Sequence, residues 1–239
     1  MGKGKPMNWA IGITTVPERR DSLIRTVNSL KAAGFENPRL FIDANNTVEG
    51  MDTAIAFFPP LEFSIRVPRI KIFGNWILGL WELYIRNPGC HRYAIFQDDL
   101  VACKNLRRYM EASFYPENSY FNLYTLPSNL KLAPKNQDKG WFLSDQYGRS
   151  AVALVFSRDT VTTLCKSEHM AHKPLDPIRG HRTVDGAVSQ ALCLNLNWKE
   201  YVHIPSLVQH TGVPSTIGNE YQGTTNFVGE DFDAMELLK

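Results

Sequence analysis

Residues 9–44 read WAIGITTVPERRDSLIRTVNSLKAAGFENPRLFIDA, and their order decides the fold class. Residues 9–16 form an apolar, partly β-branched run with the composition of a buried strand. Pro17 and the charged residues up to Asp21 then open a helix. Its apolar positions Leu23, Val27 and Leu30 fall at helical spacing, and Gly34 stops it. Residues 39–44 are a second strand, ending in an acid, Asp43. Strand, helix and strand in that order make a parallel pair joined by a crossover, so the chain is of the α/β class.

The same reading extends through the chain. Residues 45–63 are less regular, with turn chemistry at both ends. Residues 73–89 carry Ile77, Leu80, Trp81 and Tyr84 at helical spacing and end in Pro88-Gly89, and YAIFQDDLVA (93–102) follows as one strand. Helices are expected at 105–114, 158–166 and 184–196, strands at 120–126 and 151–157, and a strand running into a loop over 199–210. No repeat, low-complexity linker or domain boundary interrupts the pattern. The expectation is a single domain with a mixed, mostly parallel sheet flanked by helices, in two parts at about 9–102 and 103–218 with a tail at 219–239.

Composition sets the outer limits. With 239 residues, 44% hydrophobic and 21% charged, the chain has the balance of a folded globular protein and not of a disordered one. A net charge of +2 is too small to argue for nucleic acid by itself. No apolar run reaches the roughly 18 residues of a membrane span, and the basic start is followed by no signal-type apolar stretch. Cys90, Cys103, Cys165 and Cys193 show no CxxC spacing, which suits reduced thiols in a cytoplasmic protein.

In open α/β sheets, ligands bind at the carboxyl ends of the parallel strands. Three such ends carry suitable chemistry: Thr14 and Thr15 with Arg19 and Arg20 after the first strand, Asp43 after the second, and Asp98-Asp99 in the later one. Adjacent carboxylates repel each other. A hard divalent cation removes that repulsion and in turn binds phosphate oxygens. Arginines near a helix start add positive potential for the same phosphates. The plainer reading makes Asp98-Asp99 a solvated turn and a helix N-cap, and Asp43 a turn residue. The combination of the three strand ends favours a phosphate-bearing ligand.

Several motifs then fall into a known order. AIGITTVPER near the start, FGNW before a helix, FQDDL at mid-chain, DGAVSQAL late and PSLVQHTGVPST near the end resemble nucleotide-sugar-dependent glycosyltransferases of the GT-A fold, from about Trp9 to Gly218. The resemblance implies a nucleotide-sugar donor, UDP-linked by preference, with its base and ribose at the first strand and turn and at Asp43. Gln97-Asp98-Asp99 stands at the place of the family's DxD element, with Asp99 as metal ligand and Asp98 facing ribose or the metal's waters. Gln97 departs from the family's first acid. Asp185, at a late helix start, stands where inverting members carry the general base, and His210 where some members complete the metal site. Manganese or magnesium would bridge to the diphosphate, and an imidazole ligand favours manganese. Asn75 is a candidate contact to base or ribose, whereas Trp76 belongs equally well to a core stripe with Trp81 and Tyr84.

Other readings stand beside this one. Asp185 also reads as a helix cap, and His210 as a loop histidine bonded to backbone. His169, His172 and His181, with Lys173, Arg179 and Arg182, form a basic loop; HxxH spacing suggests zinc, but no paired cysteines or acids complete a ligand set. A nucleic-acid-binding module would grip phosphates with that loop and the basic helix at 105–114. A metal-dependent phosphoryl-transfer enzyme would use Asp98 and Asp99. No P-loop and no GxGxxG is present. For a transferase the acceptor hydroxyl is expected on a glycan, then on a hydroxymethylated base of phage-type DNA, then on protein. Donor sugar, acceptor, stereochemical course and oligomeric state stay open.

Overall fold

The computed structural model describes residues 7–172, 183–212, 223, 224 and 226–239. Its strands are Trp9–Thr15 (β1), Arg39–Asp43 (β2), Phe63–Arg66 (β3), Arg92–Gln97 (β4), Leu100–Ala102 (β5), Ser119–Asn122 (β6), Gly140–Leu143 (β7), Ala153–Ser157 (β8), Lys199–Ile204 (β9) and Val208–His210 (β10). Its α-helices are Arg20–Ala32 (α1), Thr47–Ala54 (α2), Lys71–Arg86 (α3), Leu106–Ala112 (α4), Pro127–Leu130 (α5), Arg158–Lys166 (α6), Glu168–His172 (α7) and Val184–Ser189 (α8). A 3-10 turn, Pro17–Arg19, leads into α1, and a π-helical turn, Gln190–Leu194, continues α8.

Eight strands form one sheet in the order β3-β2-β1-β4-β8-β6-β9-β7. β1 runs parallel to β2 and β4, β2 to β3, and β6 to β9, while β8 lies antiparallel between β4 and β6. Because β4 and β6 both oppose β8, they point the same way. The carboxyl ends of β1, β2, β4 and β6 therefore share one edge of the domain, the edge where ligands bind in open α/β sheets.

Alternation of side chains sorts the core into two layers. Ile11, Ile13, Leu40, Ile42, Ala94 and Phe96 face α1 and α4, whose Leu23, Val27, Leu30, Leu106 and Met110 complete that side. Ala10, Phe41, Tyr93 and Ile95 face the other way, onto Trp76, Ile77, Leu80 and Leu83 of α3 and the buried faces of α6 and α8. Trp76 is fully buried there and belongs to the core stripe. Two glycines let α3 approach the sheet: a Cβ on Gly12 would stand 2.6 Å from the Phe41 ring, and one on Gly79 2.8 Å from it.

Three expectations are corrected. YAIFQDDLVA is not one strand; it breaks at Asp98-Asp99, and β5 leaves the main sheet to pair with β10. In residues 199–210 the expected strand is β9, and the part expected as loop ends in a second short strand, β10. The irregular stretch 45–63 holds α2, capped by Asn46 through Glu49 N at 3.0 Å, and reaches edge strand β3. The break at Asp98 has a cause in α1. On one side β5 has β10; on the other, Thr26 Oγ1 donates to Leu100 O (2.9 Å) and accepts from Leu100 N (3.1 Å), and Ser29 Oγ accepts from Ala102 N (2.9 Å). The hydroxyls of α1 replace a neighbouring strand.

All four cysteines are free thiols, as reduced usage implies. No helix among the described residues is long and apolar enough to cross a membrane.

Candidate active site

β1 and β4 are adjacent and in register, Thr14 opposite Gln97, so the residues that follow each strand meet. Asp98 and Asp99 are buried, at 3% and 1% exposure. That overturns the solvated-turn alternative, and the strand β5, not a helix, follows them. Thr15 Oγ1 donates to Asp98 Oδ2 at 2.6 Å, and Ser22 Oγ to the Asp98 carbonyl at 2.7 Å. Thr14 Oγ1 donates to the Phe96 carbonyl at 3.3 Å.

Arg19, which closes the 3-10 turn after β1, reaches between the two acids. Its Nη1 lies 3.1 Å from Asp98 Oδ1 and makes a short ion pair with Asp99 Oδ2. From the other side His210 Nε2 stands 3.0 Å from the same Asp99 oxygen. The register of β10 on β5, His210 opposite Leu100, puts it there, and Thr211 N closes the turn on the Asp99 carbonyl at 2.7 Å. Gly212 N donates to His210 Nδ1 at 3.1 Å, so Nδ1 is an acceptor and Nε2 carries the proton given to Asp99.

Burial pushes the Asp98 carboxyl up, the neighbouring Asp99 charge pushes it further, and the bonds from Thr15 and Arg19 offset only part of this, leaving it at about 6. For Asp99 burial also acts upward, but the hydrogen bonds from His210 and Arg19 and the Arg19 charge outweigh it, and the group lies below its ordinary value. Burial disfavours the Arg19 charge; the two carboxylates more than restore it. The acids thus hold a cation here already, and it is a side chain.

The residues fit a divalent metal in one specific respect. Asp99 Oδ1 is buried and has no hydrogen-bond partner among the described residues, whereas Oδ2 has two. A buried carboxylate oxygen without a donor is a costly arrangement that a cation relieves. Carboxylate with imidazole is a donor set suited to manganese. Among the described residues no group of three or more His, Cys, Asp and Glu could hold a metal. A cation here would therefore complete its shell with water and ligand oxygens, as magnesium-type ions do at phosphate sites.

The other expected residues have these places. Arg20 is exposed at the first position of α1. Asp43 is buried, and its two oxygens accept from Ile70 N (2.8 Å) and Lys71 N (2.9 Å), fixing the start of α3 where Lys71 takes a positive φ of 64°. Asn75 is buried within α3; its amide donates to the Phe41 carbonyl at 2.9 Å, and its Oδ1 has no partner among the described residues. Asp185 is the second residue of α8 and not its N-cap, which is Thr183. Its Oδ2 accepts from Ser150 N at 2.8 Å and its Oδ1 from Gly186 N at 3.0 Å. Ser150 lies beyond the end of β8 on the side of Asp98-Asp99, since Gln97 N bonds Val152 O at 2.9 Å. The acids of β4 and Asp185 are thus on one edge. Of the basic loop, Lys173, Arg179, His181 and Arg182 lie outside the described residues.

Sequence reasoning missed Ser22, Thr26 and Ser29. They sit at helical spacing beside the apolar stripe of α1, a visible signal that only a strand lacking a partner makes meaningful. It also missed Glu200, a buried acid in β9.

No family model matches this chain, and no curated protein matches it in sequence. Solved structures match it in fold. The crystal structure of GalNAc-T7 with UDP, GalNAc and Mn2+ superimposes with a TM-score of 0.57 at 12% identity, over 95% of this chain and 47% of that one. HddC from Yersinia pseudotuberculosis, complexed with GMP-PN, superimposes with a TM-score of 0.51 at 8% identity, over 87% of this chain and 95% of that one. The chain spans about half the length of the GalNAc-T7 chain. At these identities the likeness is one of fold: this is the GT-A, Rossmann-like architecture.

Proposed function

We propose that this chain is a metal-dependent glycosyltransferase that moves a sugar from a nucleotide-sugar, UDP-linked by preference, to a hydroxyl acceptor. The observation that carries the reading is the convergence of Asp98, Asp99 and His210 on one buried point at the strand ends, with Arg19 between the acids and Asp99 Oδ1 without a donor. The GT-A fold supports it, as does the GalNAc-T7 neighbour, which was solved with UDP and Mn2+.

On this reading Asp99 and His210 would hold manganese or magnesium, with Asp98 beside it, and the cation would supply Lewis-acid stabilisation of the departing diphosphate. To act as a ligand through Nε2, His210 would have to carry its ring proton on Nδ1, where Gly212 N now donates. Arg19 and Arg20 supply positive potential for the phosphates. Thr14, Thr15, Asp43 and Asn75 shape the wall for base and ribose. Asp185, its carboxylate held by two backbone amides, takes the proton of the acceptor hydroxyl as that oxygen attacks the anomeric carbon, which makes the transfer inverting. The acceptor hydroxyl is assigned to a glycan, with hydroxymethylated DNA the second choice.

Melting curves test the reading. UDP with manganese should raise the melting temperature more than the two separate shifts combined, because the site needs both to replace Arg19 on the acids. A panel of nucleotide-sugars with manganese should then release nucleoside diphosphate from one of them. Release of pyrophosphate instead would assign the site to nucleotidyl transfer, and no response to any nucleotide would remove the reading.

A further inference from the structure

Behind Asp185 lies a second buried acid that the proposed mechanism does not use. Glu200 stands in β9 opposite Tyr120 of β6, 1% exposed, on the sheet face that α8 covers. Its Oε2 accepts from Ser144 Oγ at 2.5 Å and its Oε1 from Asn122 Nδ2 at 3.1 Å. Its backbone is clasped as well: Glu200 N donates to Gln146 Oε1 (2.9 Å), and Gln146 Nε2 donates to Glu200 O (2.9 Å). Asn122 Nδ2 also lies 3.0 Å from the carbonyls of Arg149 and Ser150. One acid therefore ties down both ends of the turn 144–150. The turn is held from above too, by Ser189 Oγ of α8 on the Gln146 carbonyl at 2.5 Å. A Cβ on Gly148, at a positive φ of 66°, would stand 2.2 Å from the Asp185 carbonyl.

That turn ends at Ser150, whose N–H holds Asp185 Oδ2. We propose that Glu200 is a positioning residue for Asp185: through Ser144 and Asn122 it fixes the 144–150 turn, and the turn fixes the plane of the Asp185 carboxylate. The inference rests on the reading of Asp185 as general base and adds the residue that aims it. A base misplaced by about 1 Å loses on the order of a hundredfold in rate, so a rigid mount has a direct effect on turnover.

Burial pushes Glu200 up, the bonds from Ser144 and Asn122 ease it, and the charges of Asp145 and Asp185 raise it again, to about 7. Arg149, Tyr120 and Cys193 also sense its charge. The folded value is above the unfolded one, so the native state holds the extra proton between about 4.5 and 7. The associated stability is complete at the acid end of that window and is lost as pH rises through it.

The experiment compares Glu200→Leu, Glu200→Gln and Asp185→Asn in the full chain. Glu200→Leu leaves the Ser144 hydroxyl without its acceptor and removes one of three from Asn122 Nδ2, and it should lower kcat by roughly ten- to a hundredfold. UDP–manganese affinity, read by calorimetry, should stay within about twofold. Deuterium uptake should rise in the peptide covering 144–151. Glu200→Gln mimics the neutral acid, so it should regain most of the turnover and flatten the fall in melting temperature between pH 5 and pH 8. Unchanged kcat in Glu200→Leu beside a dead Asp185→Asn would overturn the positioning role and leave the base intact. A parallel loss of kcat and UDP–manganese affinity would also overturn it, by showing a general structural role. Normal turnover in Asp185→Asn would instead fail the base reading itself. If Glu200→Leu does not fold, Ser144→Ala cuts the same link by one hydroxyl and is read by the same outcomes.

Discussion

Asp98 with Asp99, and Asp185 with Glu200, are two pairs of acids around one sheet, and the described residues satisfy them in different ways. The first pair is bound by charge: Arg19 bridges both carboxylates and His210 adds its N–H. Among the described residues the second receives hydrogen bonds from amides and hydroxyls of Ser150, Gly186, Asn122 and Ser144. A carboxylate pair held by a cationic side chain can exchange that cation for another. Neutral donors on both oxygens keep a carboxylate fixed in direction. In the proposed function ligand binding falls to the first pair and proton chemistry, with its mount, to the second.

Asp99→Asn breaks the comparison most severely. It removes the charged ligand and leaves Arg19 with Asp98, so metal-dependent UDP binding should fall by at least a hundredfold while the protein still folds. Titration calorimetry with UDP and manganese reads this, and wild-type affinity in the variant would put the cation elsewhere. Asp185→Asn tests the second pair at similar size but in a different quantity. It should keep UDP–manganese binding and lose roughly a hundredfold in turnover, since a general base acts only in the transition state. Asn keeps an acceptor for the Ser150 N–H, though not a second one for Gly186 N, and Thr183 remains the N-cap residue, so an unchanged melting temperature separates the loss from damage to α8.

Arg19→Gln sharpens the exchange idea. Removing the partner of a buried charge pair destabilises by about 3 kcal/mol, so the metal-free variant should melt below wild type. Manganese alone, without nucleotide, should then raise its melting temperature by more than it raises that of wild type, because nothing has to be displaced. Equal shifts in the two proteins would mean that Arg19 and the metal do not compete for the same acids.

Much of the first pair's surroundings was legible in the sequence. The order strand, helix, strand fixes the crossover, and the alternation Ile11, Ile13 against Ala10, Gly12 already separates the two faces of β1. An acid after each of β2 and β4 marks the ligand-binding edge. The break after Gln97 was not legible, because β5 owes its partner to β10, more than a hundred residues later, and its other side to hydroxyls on a helix. Glu200 was hidden for the opposite reason. In the strand KEYVHI a glutamate reads as the solvent face, and only α8 and the 144–150 turn, closing over that face, make it interior.

The smallest expected effect is the most local, and it asks whether the first pair depends on that helix. Thr26 is fully buried, and its one hydroxyl serves both the N–H and the C=O of Leu100, immediately after Asp99. Valine has nearly the same shape and keeps the packing of α1, but it leaves two backbone groups of β5 without partners. A buried polar group stripped of its bond costs about 1–3 kcal/mol, so Thr26→Val should lose roughly 2 kcal/mol in urea melts, with the denaturant slope unchanged. Leu100 also pairs with His210 on β10, so the loosening should reach the first acid pair and not the second. Manganese–UDP affinity should weaken several-fold, the deuterium uptake of residues 98–103 should rise, and that of 144–151 should not. If turnover falls while manganese–UDP affinity is untouched, the two pairs are not mounted separately, and the division of labour drawn from their partners is wrong.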